Sequence, residues 1–238
     1  MIVEQNFYIG LRDVNIKNEL TNTGFLACIE NVANYHSQMV GYGILDIERI
    51  KRTWVLVSWK VEILKRPKFN ETIKAQTCSR KNISYNAFRD FRIYNENEEL
   101  LARGTAKCFF IDINKGKPIK IPNEIEEYYK PENIRALEDD NIEKLQDPKN
   151  YISCIDYKIT KSMIDVNNHV HNIYYMDIAK EVLPQPLDEE YNTFEIMYKK
   201  EIKSDEIVKV YYSKVDDWNY VTIKSKDNKT IYSIIRLK

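Results

Sequence analysis

Apolar positions recur at helical spacing through residues 24–40, where Phe25, Ile29, Val32 and Ala33 are followed by Met39 and Val40. The polar run Thr21, Asn22 and Thr23 supplies caps just ahead of it, and Gly41 and Gly43 punctuate its end. The period then changes. Residues 53–64, 71–81, 84–95 and 99–113 are rich in β-branched and aromatic side chains, with polar turns such as RPKFN and ENEE between them, the pattern of antiparallel strands. The same order returns in the second half. A strand over 154–160 precedes a helix beginning near Asn167, and strands follow at 194–202, 205–215, 220–226 and 231–238. Local matches support a duplication. SWKVEI at 58–63 faces MYKKEI at 197–202, and Tyr35 faces Tyr174, both 139 residues apart; NETIK at 70–74 faces DEIVK at 205–209, 135 apart. Residues 115–150, between the halves, are charged, proline-marked and poor in aliphatic runs, and read as a connection packed on the outside. A long helix followed by an antiparallel sheet predicts an α+β unit whose sheet curls round its helix. Two such units side by side would join their sheets and face their helices together.

Composition narrows the partners. Lys plus Arg equals Asp plus Glu at 36 each in 238 residues, so no bulk attraction to nucleic acid is indicated. No stretch approaches the ~20 apolar residues of a membrane span. The opening MIVEQNFYIGLRDV has an early acid, no sustained apolar run and no Arg- or Ser-richness, so neither a signal peptide nor a transit peptide is expected. Cys28, Cys78, Cys108 and Cys154 are scattered, form no CxxC pair, and read as reduced thiols of a cytoplasmic protein. Richness in Lys, Asn, Ile and Tyr fits an AT-rich bacterial genome.

Asp165, Asn167 and His169 alternate at the mouth of the second helix. In an extended lead-in, positions i, i+2 and i+4 project from one side. If Asp165 or Asn167 is the N-cap, first-turn N–H groups point into the same space, and the positive helix end suits an oxyanion. The bland alternative is a cap beside a satisfied histidine. Zinc held by Asp165, His169 and His171 is disfavoured, because the two imidazoles would diverge on a helix. Under the 139-residue offset the three polar residues face Leu26, Cys28 and Glu30, so the constellation occupies one half only. A cap needed for folding would appear in both. No GxSxG, Walker or paired-glycine nucleotide motif competes, and no cofactor is expected.

The run DVNNHVHNIYYMDIAKEVLP at 165–184 resembles the acyl-acyl-carrier-protein thioesterase family. That family's second hot-dog domain carries D-x-N-x-H-V-N-N-x-x-Y-x-x-W-x-x-E-x-x-P. Asp165, Asn167, His169, Val170, Asn172, Tyr175, Glu181 and Pro184 match it, while His171 and Ile178 depart from it. A glutamate in a Y-x-x-E-C context follows in the family; here Tyr198 and Glu201 match and Ile202 replaces the cysteine, which argues against Cys–His chemistry. The first half resembles the family's first domain over TWVLVSWKVEILKRPKFNETIKAQT. The resemblance implies two tandem hot-dog domains: an acyl-pocket domain at 1–125, a linker at 126–150 and a catalytic domain at 151–238. It implies hydrolysis of fatty acyl-carrier-protein thioesters by Asp165, Asn167, His169 and Glu201. Asn167 would orient the carbonyl, His169 and Glu201 would activate water, and Asp165 would be an orienting carboxylate or the nucleophile. Ile29, Val32, Ala33, Trp54 and Leu56 would line the acyl slot. Lys199, Lys200 and Lys203, with Lys65, Arg66 and Lys68, would meet an acidic carrier protein. An acyl-CoA thioesterase, a non-catalytic acyl-binding module and, less readily, a hydroxyacyl dehydratase stand as alternatives, and the chain would be a monomer or homodimer.

Overall fold

The computed structural model describes residues 1–187 and 189–238 and divides into two compact units, Met1–Ile142 and Glu143–Lys238. In unit 1, β1 (Ile2–Tyr8), α1 (Asn22–Met39), a short α2 (Ile47–Ile50), β2 (Arg52–Ile63), β3 (Thr72–Ser79), β4 (Asn86–Asn95), β5 (Leu100–Asp112), β6 (Lys117–Pro118) and α3 (Asn123–Tyr129) follow in turn. The strands are antiparallel in the order β1-β3-β4-β5-β2, with β6 on β5. The helix forms where the 3.6 period placed it. Thr21 is its N-cap, its Oγ1 accepting the Gly24 N–H at 3.0 Å. Phe25, Ile29 and Val32 are buried, and Phe25 and Ile29 pack on Val61, Phe91 and Ile93 of the sheet.

Unit 2 repeats this order with β7 (Ser153–Lys158), α4 (Tyr174–Lys180), β8 (Thr193–Tyr198), β9 (Ile207–Val215), β10 (Trp218–Ser225) and β11 (Ile231–Leu237). Its sheet runs β7-β9-β10-β11-β8, the counterpart of unit 1 strand for strand. Two expectations are corrected. The second helix begins at Tyr174, not near Asn167, and spans 7 residues. The position of Thr21 is taken by His171, and α4 has no side-chain cap, so residues 172–173 form a turn before regular helix starts. The strand expected over 194–202 ends at Tyr198, where Lys199 and Lys200 both donate to the Tyr232 carbonyl in a bulge.

The connecting segment is tied to both sheets by ion pairs and hydrogen bonds. In unit 1, Asp139 pairs with buried Lys60 and Asp140 with buried Arg80, each at 2.7 Å. In unit 2, Asp147 binds Lys224 at 2.7 Å and accepts from Thr222 at 2.8 Å. No helix among the described residues is long and apolar enough to cross a membrane.

Candidate active site

Residues 164–170 close a tight loop of unit 2. The Asp165 N–H donates to the His169 carbonyl at 2.9 Å and the Asn168 N–H to the Asp165 carbonyl at 3.0 Å. Asn168 sits at φ 61, a left-handed conformation that asparagine tolerates. The Asp165 carboxylate fills the loop. Its Oδ1 accepts the backbone N–H groups of Asn167 (2.8 Å) and His169 (3.2 Å), and its Oδ2 accepts from Asn167 Nδ2 (3.2 Å). Asp165 therefore caps this turn, not α4, and the expected helix-mouth oxyanion site is replaced by a side-chain-locked loop.

That loop is pinned to the chain beyond β8. The Val170 N–H donates to the Ile202 carbonyl at 2.8 Å, and His169 stands opposite Lys203 in an antiparallel bridge. Burial alternates along both segments: Val170 and Ile202 point inward, His169 is half-buried, and Glu201 and Lys203 are exposed. Glu201 is thus the diagonal neighbour of His169 on the outer side, and diagonal pairs lie roughly 7–8 Å apart, within reach of long side chains. Asp165, Asn167 and His169, together with the sequence-distant Glu201, share one edge of one unit.

Two tyrosines support this edge from below. Tyr175, 2% exposed, accepts the Ile202 N–H at 3.2 Å. It meets Tyr198 edge-on at 5.1 Å, and the Tyr198 hydroxyl donates to the Asn172 carbonyl at 2.9 Å. Burial pushes the Tyr175 phenol well above its ordinary range, and the nearby Glu201 charge adds to the rise.

Unit 1 carries the same loop with other side chains. The Asn15 N–H donates to Glu19 (2.8 Å) and the Asn18 N–H to Asn15 (2.9 Å), Asn18 also lies at φ 61, and Leu20 bonds Pro67 at 2.9 Å. Asn15 Oδ1 accepts the N–H groups of Lys17 (2.9 Å) and Glu19 (3.1 Å). Glu19 faces Lys68 as His169 faces Lys203. The counterparts of Asp165, Asn167 and His169 are therefore Asn15, Lys17 and Glu19 at an offset of 150, and not Leu26, Cys28 and Glu30. After the helix the offset is 135, which pairs Glu201 with Arg66 and supersedes the matches of Glu62 with Glu201 and of Tyr35 with Tyr174. Unit 1 simply has the longer helical region, so no single shift relates the halves. The turn-forming carboxamide or carboxylate is common to both units; the amide, imidazole and carboxylate at 167, 169 and 201 belong to unit 2.

The residues expected to hold the acyl tail fall in different places. Ile29 borders an apolar gap of ≈ 10 Å³ between α1 and the sheet, room for about one water. Val32 is fully buried, and Ala33 and Leu56 are half-buried. Trp54 instead packs on Phe110 at 4.5 Å and donates to the Tyr129 hydroxyl at 2.9 Å, beneath α3. Of the basic residues, Lys199, Lys200, Lys203 and Lys68 are exposed, whereas Lys65 pairs with Glu99 at 2.9 Å. Arg66 donates to the Leu20 carbonyl and Asn22 Oδ1, each at 2.8 Å, and is spent inside unit 1.

Comparison with known proteins agrees with this division. Residues 1–129 match the profile of the acyl-ACP thioesterase N-terminal domain, and residues 146–235 that of the C-terminal domain. An oleoyl-acyl carrier protein thioesterase of Arabidopsis thaliana is 24% identical over 224 residues, covering 86% of this chain and 61% of the relative. A dodecanoyl-[acyl-carrier-protein] hydrolase of Cinnamomum camphora is 23% identical over 225 residues, 87% of this chain and 58% of its own length. The chain thus spans about three fifths of the curated relatives it matches. Among solved structures, an acyl-ACP thioesterase from Bacteroides thetaiotaomicron superposes with a TM-score of 0.86 at 20% identity, covering 99% of this chain and 96% of the other. The 12:0-ACP thioesterase of Umbellularia californica gives 0.86 at 18% identity, over 100% and 96%. These likenesses establish a tandem hot-dog fold, and with domain profiles covering most of its length, the chain belongs to the acyl-ACP thioesterase family.

Proposed function

We propose that the protein hydrolyses fatty acyl-acyl-carrier-protein thioesters, releasing free fatty acid and ending chain elongation. The observation that carries this reading is the backbone register setting His169 beside the Glu201–Lys203 segment, in the unit that holds Asn167 as well. A thioester carbonyl is already activated, and its thiol leaves with a pKa of roughly 8.5, so a positioned base and carbonyl donors suffice. Asn167, its amide oriented by Asp165, holds the carbonyl oxygen. Glu201, with His169, takes a proton from water as the water oxygen bonds to the carbonyl carbon. The C–S bond then breaks, and that proton passes to the departing thiolate. Asp165, with both carboxylate oxygens engaged by the loop, serves as the turn-former and not as nucleophile.

The exposed lysines around Glu201 favour an acidic carrier protein over a small thioester. The acyl tail is assigned to the α1 side of unit 1, where the gap beside Ile29 must widen to admit it. Four free thiols, two of them buried, fit a reducing cytoplasm. The test is thiol release from palmitoyl-acyl carrier protein and from palmitoyl-CoA by the purified protein. Carrier-protein turnover well above CoA turnover, reduced at least about a hundredfold by His169→Ala, is the expected result. Tight acyl binding without turnover would make the protein a binding module instead.

A further inference from the structure

The two units solve one packing problem in two ways, and the difference lies directly beneath Glu201. The chain leaving β2 runs Lys65, Arg66, Pro67; the chain leaving β8 runs Lys200, Glu201, Ile202. Equivalent bonds fix this alignment, since the carbonyls of Pro67 and Ile202 accept from Leu20 and Val170 at 2.9 and 2.8 Å. Proline has no N–H, so unit 1 has no donor to satisfy there. On the helix of unit 1, Phe25 is wholly buried. Ile202 does carry an N–H, and it is 0% exposed. A buried donor left unpaired is costly. The counterpart of Phe25 is Tyr175, and its hydroxyl accepts that N–H at 3.2 Å. Phe25 with Pro67, and Tyr175 with Ile202, are matched pairs.

The exchange tracks the functional residue. In unit 1 the Arg66 guanidinium lies 5.7 Å over the Phe25 ring and bonds into the fold. In unit 2 that position is Glu201, exposed, beyond the bulge that ends β8. Its segment is moored one residue further on, by the carbonyl of Ile202 to the loop of His169 and by the N–H of Ile202 to Tyr175. We propose that Tyr175 is a positioning residue for the hydrolysis: by holding the Ile202 N–H, its hydroxyl sets where the Glu201 carboxylate stands relative to His169. The inference rests on the reading of Glu201 as the base. Small displacements of a catalytic group of about 1 Å are known to cost on the order of a hundredfold in rate, so the mooring has kinetic weight.

Steady-state kinetics on palmitoyl-acyl carrier protein compare wild type, Tyr175→Phe, Tyr175→Phe/Ile202→Pro and Glu201→Gln. Tyr175→Phe lowers kcat about tenfold at unchanged KM. The double variant, which reproduces the Phe25/Pro67 pair, removes the orphaned donor and regains about threefold or more of that loss. A folded Tyr175→Phe protein as fast as wild type overturns the inference, as does a double variant no faster than the single one. If Tyr175→Phe does not fold, the double variant decides: activity within about tenfold of wild type supports the inference, and a folded but inactive protein defeats it. Glu201→Gln keeps the two readings apart. Wild-type turnover there removes the base assignment and this inference with it; an inactive Glu201→Gln beside an unaffected Tyr175→Phe counts against the positioning role alone.

Discussion

Asp165 and Asn15 form the same turn with different chemistry, and that pair decides what the carboxylate is for. Asn15 accepts the two loop N–H groups through its amide oxygen, as Asp165 does through Oδ1. Asp165→Asn should therefore keep the loop and retain activity within about fivefold, whereas Asp165→Ala should lose roughly a hundredfold or more with the loop. Inactivity of a folded Asp165→Asn protein would instead restore the nucleophile reading. A second residue-scale prediction concerns His36, which is 0% exposed and accepts from Arg89 Nη1 at 2.9 Å through Nδ1. Burial, the Arg89 charge and the N-terminal ammonium together hold its pKa down at about 3. Its folded pKa lies below the unfolded value of about 6.5, so its contribution is complete above pH 6.5 and is lost as pH falls toward 3. Tm measured from pH 7 to pH 4 should fall less steeply in His36→Gln than in wild type. Two thiols shift the other way: desolvation pushes buried Cys28 up to about 12 and half-buried Cys108 to about 11, which leaves them unreactive near neutrality.

At the scale of elements, burial and capping explain what the pattern could and could not reveal. α1 was legible because an apolar stripe, a threonine cap and terminal glycines all agree. The strands were legible from β-branched runs, except β1, whose IVEQNFY alternates too weakly to stand out before its pairing with β3 is seen, and the two-residue β6, which falls in the stretch read as a connection. The start of α4 was misplaced because DVNNH offers the capping residues of a helix, yet a left-handed Asn168 turns the chain into a bridge with 202–203 first. Nothing local encodes that long-range pairing. Elements also hold buried charge. Asp90 on β4, fully buried, receives Arg80 at both oxygens, and Arg80 reaches Asp140 of the connecting segment at 2.7 Å. Asp90→Ala strands that guanidinium in the sheet and should cost about 3–5 kcal/mol in urea unfolding, while Glu48→Ala, whose partner Lys51 is itself exposed, should cost far less. Equal losses at the two sites would show that burial does not govern what an ion pair is worth here.

Across the whole molecule, a duplication has kept its scaffold and divided its side chains. Strand order, the Asx-locked loop and the bridge behind it occur in both units, so they serve folding. With Lys17 for Asn167, Glu19 for His169 and Arg66 for Glu201, unit 1 lacks the amide, imidazole and carboxylate at those places. The sequence showed the repeat and the four polar residues, but a single offset of 139 hid their true counterparts, because the helical region differs in length between the units. The matched exchange of Phe25/Pro67 for Tyr175/Ile202 became visible only once the two offsets, 150 and 135, were fixed by equivalent hydrogen bonds. The proposed hydrolysis turns on the carboxylate at 201 activating the attacking water. The decisive measurement is single-turnover thiol release from palmitoyl-acyl carrier protein by an excess of Glu201→Gln, across enzyme concentrations. A fall of at least about a hundredfold in the saturated rate with substrate affinity preserved is expected; release at the wild-type rate would remove the water-activating role from Glu201.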